Sequence, residues 1–414
     1  MIPHEMLVEL SQRMVHELEQ RILPFWSEKA VDEDHGGFIG RITNDGCRVP
    51  EAPRSAVLNT RILWTFSSSH RAMKTPQLLE LAHRAYEYIV AHFIDREHGG
   101  IFWMVNFDGS VADPKKHTYA TAFAIYAISE YYRATGLQKA KDEAVALFEL
   151  LDQHGYDPKT GAYYEAFERS WTKIDDVRLS DSDQPERFSM NTQLHLLEAF
   201  ANLFRIYPDA ILRKRLTGLL NLFTDKIYNS DNHHFHSFFD DEWNPVPLPY
   251  SYGHDIETVW LMADAARLLG DDALTARIGE ITRDVAANVI TEGYDPVQFG
   301  IYNSGYGGTV KDSDKHWWAQ AEAIVGFLEA YSITGDTIFI SKAYQTWEFI
   351  QHRLINKDVG EWYFRVDSDG NPCTSEDILG PWKCPYHSAR ACLLVPERVQ
   401  QIMNSGRVAA EVTK

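Results

Sequence analysis

Glu97-His98-Gly99-Gly100-Ile101-Phe102-Trp103 is one of six copies of a short motif that organises this chain. Each copy has an acidic residue, a short spacer, a glycine or another turn-forming residue, and then aromatic or other residues that favour β-strands. The other copies begin at Asp34, Asp157, Asp231, Asp295 and Asp358, so that successive copies start about 60 to 75 residues apart. A repeat of this period indicates one supersecondary unit used six times.

The segments between the motifs have the periodicity of paired helices. Apolar residues recur at helical spacing in Asn59–Ser69, Tyr119–Thr135, Asn191–Ile206, His254–Leu269 and Trp317–Thr334. Several of these segments end in helix-stop residues, and further helical stretches follow, such as Leu137–Gln153 and Asp272–Thr291. Six helical hairpins predict an all-α toroid around a pocket, with short β-hairpins in the connecting loops. We expect a single domain over residues 1–414, because the units bury their apolar faces on each other.

Composition limits the partners and the compartment. The chain is 44% hydrophobic and 13% aromatic without a run of 18 apolar residues, so we expect a large core and no membrane span. The formal charge of −19 disfavours nucleic acid and anionic membranes as partners. The N-terminus has no signal-peptide pattern, and Cys47, Cys373, Cys384 and Cys392 form no CxxC pair. These features predict a cytoplasmic protein without a zinc site or a disulfide framework.

Each predicted inner helix has a polar or aromatic functional side chain at or near its start. If the six helices begin at one end of the toroid, these side chains converge on one pocket, which is the usual form of a small-molecule site. They are Arg61, Tyr119, Asn191, His195, His254, Glu257, Trp317 and His387.

Two histidines in this set have a carboxylate one helical turn away. His254 and Glu257 are separated by three residues, as are His195 and Glu198, and this spacing predicts contact on one helix face. A carboxylate that accepts from one imidazole nitrogen raises the basicity of the other, as a general base requires. Such pairs could also hold a metal, but we find no additional inward glutamates of the kind used in di-metal bundles and expect no metal.

The same residue types suit proton removal next to a carbonyl. A C–H next to a carbonyl is acidic, and moving its proton needs a base, an acid and a group that stabilises the negative charge on the oxygen. Two histidines would supply the base and the acid, and Arg61 would stabilise the negative charge. Arg61 lies in an apolar helix, where an arginine is seldom buried without a partner. A Rossmann fingerprint and a phosphate-binding loop are absent from the sequence, so neither NAD nor ATP is expected as a cofactor.

Five segments of the chain resemble the cellobiose 2-epimerases of the N-acylglucosamine 2-epimerase superfamily. The segments are Asn59–Phe66, Ser189–His195, Tyr252–Glu257, His316–Glu322 and Gly380–His387. The most specific matches are Trp382-Lys383-Cys384-Pro385-Tyr386-His387 and the doubled Trp317-Trp318, and the similarity extends from Leu7 to Arg398. The resemblance implies an (α/α)6 barrel and cofactor-free epimerisation at C2 of a reducing-end sugar, such as conversion of cellobiose to 4-O-β-glucosyl-mannose.

The resemblance also implies roles for single residues. His254 and His387 match the acid/base histidines, and Glu257 matches the partner of the first. The residues that match contacts to the reducing-end sugar and its enediolate are Arg61, Tyr119, Asn191 and His195. Trp317 and Trp382 match aromatic walls, and Ser180 and Asp183 match loop residues near the substrate.

Other activities remain open at this point. Where disaccharide-using relatives tend to carry a glutamate after the tyrosine, this chain reads Tyr302-Asn303-Ser304, so a mannose 2-epimerase acting on free mannose and glucose is an alternative. A mannose–fructose isomerase is another, because both products arise from one enediolate. A glycoside hydrolase would need two carboxylates across the scissile bond, for which Glu257 with Glu322 or Asp183 are candidates. A non-catalytic sugar- or protein-binding module would need only aromatic platforms.

Overall fold

A computed structural model describes residues 2–179 and 184–406, in which helices predominate. The helices are α1 (Pro3–Glu17), α2 (Leu23–Glu28), α3 (Ala56–Met73), α4 (Pro76–Tyr88), α5 (Thr118–Thr135), α6 (Gln138–Gly155), α7 (Met190–Phe204), α8 (Ala210–Leu222), α9 (Tyr252–Leu269), α10 (Asp272–Asn288), α11 (Trp317–Thr334), α12 (Ile338–Phe349) and α13 (Tyr386–Asn404). π-Helical turns are formed by Leu18–Ile22, Ile89–Phe93, Phe223–Ile227, Val289–Gly293 and Ile350–Leu354. None of the described helices has the length and apolar character needed to cross a membrane.

The inner helices close into a ring. α3 packs against α5, and the succession continues through α7, α9, α11 and α13, which returns to α3. α4, α6, α8, α10 and α12 each pack against the inner helix that precedes them, while α1 packs against α13. The two ends of the chain therefore supply the sixth pair. The predicted (α/α)6 arrangement is confirmed.

The two layers differ in how much of each helix is buried. α11 is buried on nearly its whole surface, from Trp317 to Tyr331, as expected of an inner helix with neighbours on every side. α10 instead buries one stripe, which includes Leu274, Ile278 and Ile281. At Gly326 of α11 a Cβ atom would lie 2.6 Å from the Ile256 carbonyl oxygen of α9, so glycine is required for this helix contact.

The six motifs form tight turns that follow the outer helices. In each turn an Asp or Asn side chain accepts a hydrogen bond from the backbone N–H two residues ahead, as an Asx-turn requires. These residues are Asp32, Asp95, Asp157, Asn229, Asp295 and Asn356. In four copies the predicted first residue was wrong, because Asp34, Glu97, Asp231 and Asp358 lie two positions after the residue that closes the turn.

Buried ion pairs attach several turns to the start of the next inner helix. Arg54, which precedes α3, donates to Asp32 at 2.5 Å. Lys116, which precedes α5, lies 2.8 Å from Asp95, and similar pairs join Lys315 to Asp295 and Lys383 to Glu361. Because these cations are buried, each depends on its carboxylate, and the motif fixes the backbone from which the inner helix begins.

Short antiparallel strands connect neighbouring repeats at this end of the ring. The pairs are Arg54–Ser55 with Met104–Val105, Met104–Val105 with Val111–Asp113, Lys116–His117 with Ala166–Phe167, Phe188–Ser189 with Phe238–Phe239, Tyr228–Asn229 with His234–Phe235, Tyr250–Ser251 with Ser304–Tyr306, Ser304–Tyr306 with Thr309–Asp312, Lys315–His316 with Arg365–Val366, and Ile355–Asn356 with Glu361–Trp362. A strand that leads into an inner helix thus pairs with a strand of the following repeat. This pairing holds the inner helix starts in position around the pocket.

Candidate active site

The predicted polar side chains converge at the end of the ring where the inner helices begin. Arg61 of α3 donates to the Tyr119 hydroxyl of α5 at 2.8 Å, and the Tyr119 ring lies edge-on to His195 of α7 at 5.0 Å. On the other side of the ring, His254 of α9 and His387 of α13 both pack against the same indole, that of Trp318. These residues therefore lie close together at this end of the ring, and their convergence on one ligand pocket stays a prediction.

His387 is buried and is held by a carboxylate of the neighbouring inner helix. Its Nδ1 lies 2.7 Å from Glu322 Oε1, which leaves Nε2 as the nitrogen that can exchange a proton with a ligand. Burial lowers the pKa of His387 well below its ordinary value, and the positive charges of Arg61 and Arg390 lower it further. The imidazole is therefore neutral at neutral pH.

His195 and Glu198 form the hydrogen-bonded pair that their spacing predicted. His195 Nδ1 lies 3.0 Å from Glu198 Oε2, and both side chains are buried. Burial lowers the pKa of His195, although the carboxylate acts in the opposite direction. Burial alone would raise the pKa of Glu198, but Arg390 and His195 bring it down to about 2.

Arg390 connects the histidine–carboxylate pairs. Its Nη1 donates to Glu198 Oε1 and its Nη2 donates to Glu257 Oε1 at 2.6 Å and to Glu322 Oε1 at 2.7 Å. The guanidinium also lies over the Trp260 ring, 4.7 Å from its centroid. One fully buried cation thus holds three carboxylates from three inner helices.

The predicted pairing of Glu257 with His254 is wrong. Glu257 turns toward Arg390, and its Oε1 lies 3.9 Å from His387 Nδ1. The reason is electrostatic, because a buried guanidinium attracts a buried carboxylate more strongly than a neutral imidazole does. Burial and the neighbouring charge of Glu322 raise the pKa of Glu257.

His254 is partly exposed and packs its ring on Trp318, with 4.7 Å between the ring centroids. No described side chain forms an ion pair with it. Burial lowers the pKa of His254 to about 3, and the positive charge of a protonated His195 would lower it further. The close approach of Trp318 depends on Gly253, where a Cβ atom would meet the indole at 2.6 Å.

Arg61 is a buried cation that makes no ion pair with a described carboxylate. It donates to the Tyr119 hydroxyl and to Cys384 Sγ, and its guanidinium lies 4.2 Å from the Phe123 ring centroid. Burial lowers the pKa of Arg61, but Tyr119 and Cys384 raise it, and the net effect is upward. The guanidinium therefore remains protonated. Such a group is available to stabilise negative charge that forms on a ligand.

The remaining predicted residues lie around this centre. Asn191 is partly exposed, and its Oδ1 is buried without a described partner. Trp317 is buried against Phe364, with its ring centroid 6.3 Å from that of His387. Ser180 and Asp183 lie outside the described residues.

Trp382 forms one wall of a cleft beside the histidine pocket. The cleft has a volume of about 330 Å³ and is also lined by Trp103, Lys115, Asp176 and Arg178. The Trp382 ring centroid lies 5.9 Å from that of Tyr119, so the cleft adjoins the Arg61 side of the pocket. Aromatic walls with a few polar groups are typical of sugar and other small-molecule sites.

Glu257, Glu322 and His387 lie close enough together to hold a metal ion. However, Arg390 donates to Oε1 of both carboxylates, at 2.6 Å from Glu257 and 2.7 Å from Glu322. A guanidinium there opposes a second positive charge, and the expectation of a metal-free site stays a prediction.

Sequence reasoning missed Arg390 and did not assign Glu322 to the histidine pocket. A usable signal was present for Glu322 but not for Arg390, which is the fifth residue of α13: Arg61, His195, Glu257 and Glu322 are each the sixth residue of an inner helix. Equivalent positions in a ring of helices lie at the same depth. A charged or titratable residue repeated at that position therefore indicates a polar layer.

Comparisons with known proteins find similarity along most of the chain. The sequence pattern described as N-acylglucosamine 2-epimerase (GlcNAc 2-epimerase) matches residues 37–391. The chain is 42% identical to the cellobiose 2-epimerase of Bacteroides fragilis over 93% of this chain and 98% of that protein. The solved structure of cellobiose 2-epimerase from Bacillus thermoamylovorans superimposes with a TM-score of 0.89 at 36% identity, covering 94% and 99% of the two chains. A D-mannose isomerase structure shares the fold, with a TM-score of 0.81 at 21% identity over 94% of this chain and 97% of that one.

Proposed function

Because the chain belongs to the N-acylglucosamine 2-epimerase family, we propose that it inverts C2 of a reducing-end aldose between the gluco and manno configurations. Cellobiose is the proposed substrate and 4-O-β-glucosyl-mannose the product, as the relatives named cellobiose 2-epimerase suggest. The observation that carries the proposal is the pair His254 and His387, which come from different inner helices and pack on one indole. Two bases on different walls can reach opposite faces of a sugar carbon between them.

His254 is the proposed base for one face of C2. Its imidazole is neutral because its pKa is low, so it can accept the C2 proton of the opened aldehyde without first losing one. The electron pair left at C2 moves onto the carbonyl and forms an enediolate.

His387 is the proposed acid for the other face. Glu322 holds Nδ1 and so directs Nε2 at the pocket, from where it delivers a proton to C2 as the carbonyl re-forms. The raised pKa values of Glu257 and Glu322 favour a proton in this carboxylate pair, and movement of that proton to Nδ1 would replace the one delivered by Nε2. In the reverse direction the two histidines exchange roles, as an epimerase requires.

Arg61 is the proposed electrophile. The oxygens at C1 and C2 gain negative charge in the enediolate, and a desolvated guanidinium without a carboxylate partner stabilises that charge more than the neutral substrate. Tyr119 orients Arg61 through its hydroxyl. His195, supported by Glu198, would hydrogen-bond to the sugar or assist proton movement.

The substrate is proposed to be a neutral sugar. Trp382 offers an apolar face for a sugar ring, and the cleft between Trp103 and Trp382 provides room next to the reducing-end pocket for a second ring. Trp317, which is buried against Phe364, stays a proposed wall of the reducing-end pocket. Asn191 would bind a hydroxyl of the reducing-end sugar. Ser180 and Asp183 stay proposed contacts from the loop that precedes α7.

The four cysteines are free, which supports the cytoplasm as the proposed compartment.

Product analysis separates this proposal from its alternatives. Cellobiose, mannose and glucose are incubated separately with the enzyme, and the products are resolved by chromatography. An epimerase that uses disaccharides gives a new disaccharide from cellobiose and no free glucose. A hydrolase releases glucose, a mannose 2-epimerase acts on the monosaccharides alone, and an aldose–ketose isomerase gives fructose from mannose.

A further inference from the structure

A second cavity lies at the end of the ring opposite the histidines. Its volume is about 850 Å³, and its walls come mostly from the middle and C-terminal parts of α3, α5, α7, α9 and α13. This rear cavity is larger than the cleft beside Trp382 and is in the size range of small-molecule sites. The proposed epimerisation gives it no function.

Arginines dominate the walls of the rear cavity. Those that lie outside the histidine network are Arg71, Arg133, Arg205, Arg267 and Arg398. They share three carboxylates, because Glu130 accepts from Arg71 and Arg133, Asp264 from Arg205 and Arg267, and Glu329 from Arg267 and Arg398. Glu397, which is exposed, is the other acid on the described walls outside that network. Outside that network five guanidinium groups face four carboxylates, so positive charge is in excess by one although the whole chain carries −19.

The unsatisfied polar atoms on these walls are all donors. Trp64 Nε1, Arg390 Nε and Arg398 Nε are buried and have no hydrogen-bond partner among the described residues. A buried donor without an acceptor costs free energy. These three donors add to the positive electrostatic potential of the walls.

The carbonyl ends of the inner helices face this end of the ring and would by themselves favour cations. At α3, α5 and α9, however, the helix closes with a left-handed residue: Lys74, Gly136 and Gly270. The N–H of each donates to a carbonyl of the last turn, which reduces the negative potential at the helix end. The helix ends therefore do not cancel the positive charge of the guanidinium groups.

We propose that the rear cavity binds a small polyanion, a molecule with two or more phosphate or carboxylate groups. Arg71 and Arg205 are partly exposed at its walls and would reach the charged groups, as guanidinium forks do for both oxyanions. Trp64, which stacks on Tyr126, and Trp260 provide apolar surface for a carbon skeleton. Arg390 and Glu198 belong both to the cavity wall and to the histidine network, so the polyanion lies on the far side of Arg390 from the sugar.

Calorimetric titration with pyrophosphate, and separately with citrate, tests this at constant ionic strength. We expect saturable binding of at least one probe to the wild-type enzyme. The variant with Arg71→Gln and Arg205→Gln should bind at least about 10-fold more weakly, which corresponds to about 1.4 kcal/mol. It leaves no unpaired carboxylate, because Glu130 keeps Arg133 and Asp264 keeps Arg267.

The matched control changes two exposed arginines on the outer helix α10, Arg277→Gln with Arg283→Gln, and should bind like the wild type. The His387→Asn variant should also keep the wild-type affinity for the probe. If the probe inhibits sugar turnover by the wild-type enzyme, the inhibition should be non-competitive with the sugar. Absence of saturable binding would overturn the proposal and leave the arginines as a structural ion-pair ring. Equal loss in the control variant, or competition with the sugar, would also overturn it.

Discussion

Replacement of Arg390 by methionine tests the network that supports the histidines. The change keeps much of the side-chain volume but removes the cation that holds Glu198, Glu257 and Glu322. Breaking a buried ion pair from one side costs about 3–5 kcal/mol. We expect the free energy of unfolding to fall by this amount once, and not by this amount for each of the three carboxylates. Glu198 keeps His195, Glu322 keeps His387 and Trp260, and Glu257 can take up a proton.

The same change should alter catalysis in a characteristic way. Arg390 lowers the pKa of both His195 and His387, so its removal should shift the pH dependence of kcat/KM to higher pH. Chemical denaturation and pH–rate profiles with cellobiose measure the two effects. Arg390→Lys, which keeps the charge but not the forked geometry, should lie between the methionine variant and the wild type and serves if that variant does not fold.

Arg54→Met is the matched control. Arg54 is equally buried and pairs with Asp32, but it lies in a motif turn and not in the histidine network. The Arg54→Met variant should lose a similar free energy of unfolding, and its remaining activity should keep the pH profile of the wild type. A pH profile that is the same in Arg390→Met as in the wild type, or a stability loss below about 1 kcal/mol, would refute the reasoning.

Four further predictions concern the chemistry and the stability of the site. Arg61→Ala should lower kcat about 100- to 1000-fold, whereas a change confined to KM in steady-state kinetics would assign Arg61 to binding. Burial keeps the pKa of His254 low, at about 3, so kcat/KM should hold well below pH 6.5, and an acid limb near 6.5 would contradict this. The low pKa of His254 also predicts that the free energy of unfolding falls as pH drops below about 6.5, because the unfolded chain binds a proton at His254 that the folded chain does not. Denaturation curves of His254→Asn measured at several pH values should lack this contribution to the pH dependence. Exhaustive chelation should leave activity unchanged, and recovery of lost activity on adding a divalent ion would show that a metal is needed.

The fold could be predicted largely because local signals repeat. Helical periodicity located the inner helices to within a few residues, as for Trp317–Thr334, which is α11. The register of the motif was harder to find. The residue that closes each turn can be Asn as well as Asp, so a search for acidic residues selected Asp231 instead of Asn229. A single domain over residues 1–414 stays a prediction.

The site was predictable where it depends on one helix and not where it depends on several. The His195–Glu198 contact follows from spacing along α7. The partner of His387 is Glu322 of the neighbouring helix, and no spacing along the chain encodes that contact. Glu257 has the correct spacing for His254, but the buried charge of Arg390 decides its orientation. Glu257 binds the more strongly charged and distant Arg390 and not the nearby His254, and spacing along the chain does not predict that choice.

Turnover of cellobiose in heavy water tests the central claim most directly. Proton removal and return at C2 through histidines that exchange with solvent predicts a disaccharide product with deuterium at C2 of the reducing-end mannose, which proton NMR detects. His254→Asn and His387→Asn should each form no epimer, while one-sided exchange at C2 of a single epimer can persist. The account is contradicted if the product keeps its original hydrogen at C2, if free glucose accumulates, or if either variant epimerises at close to the wild-type rate.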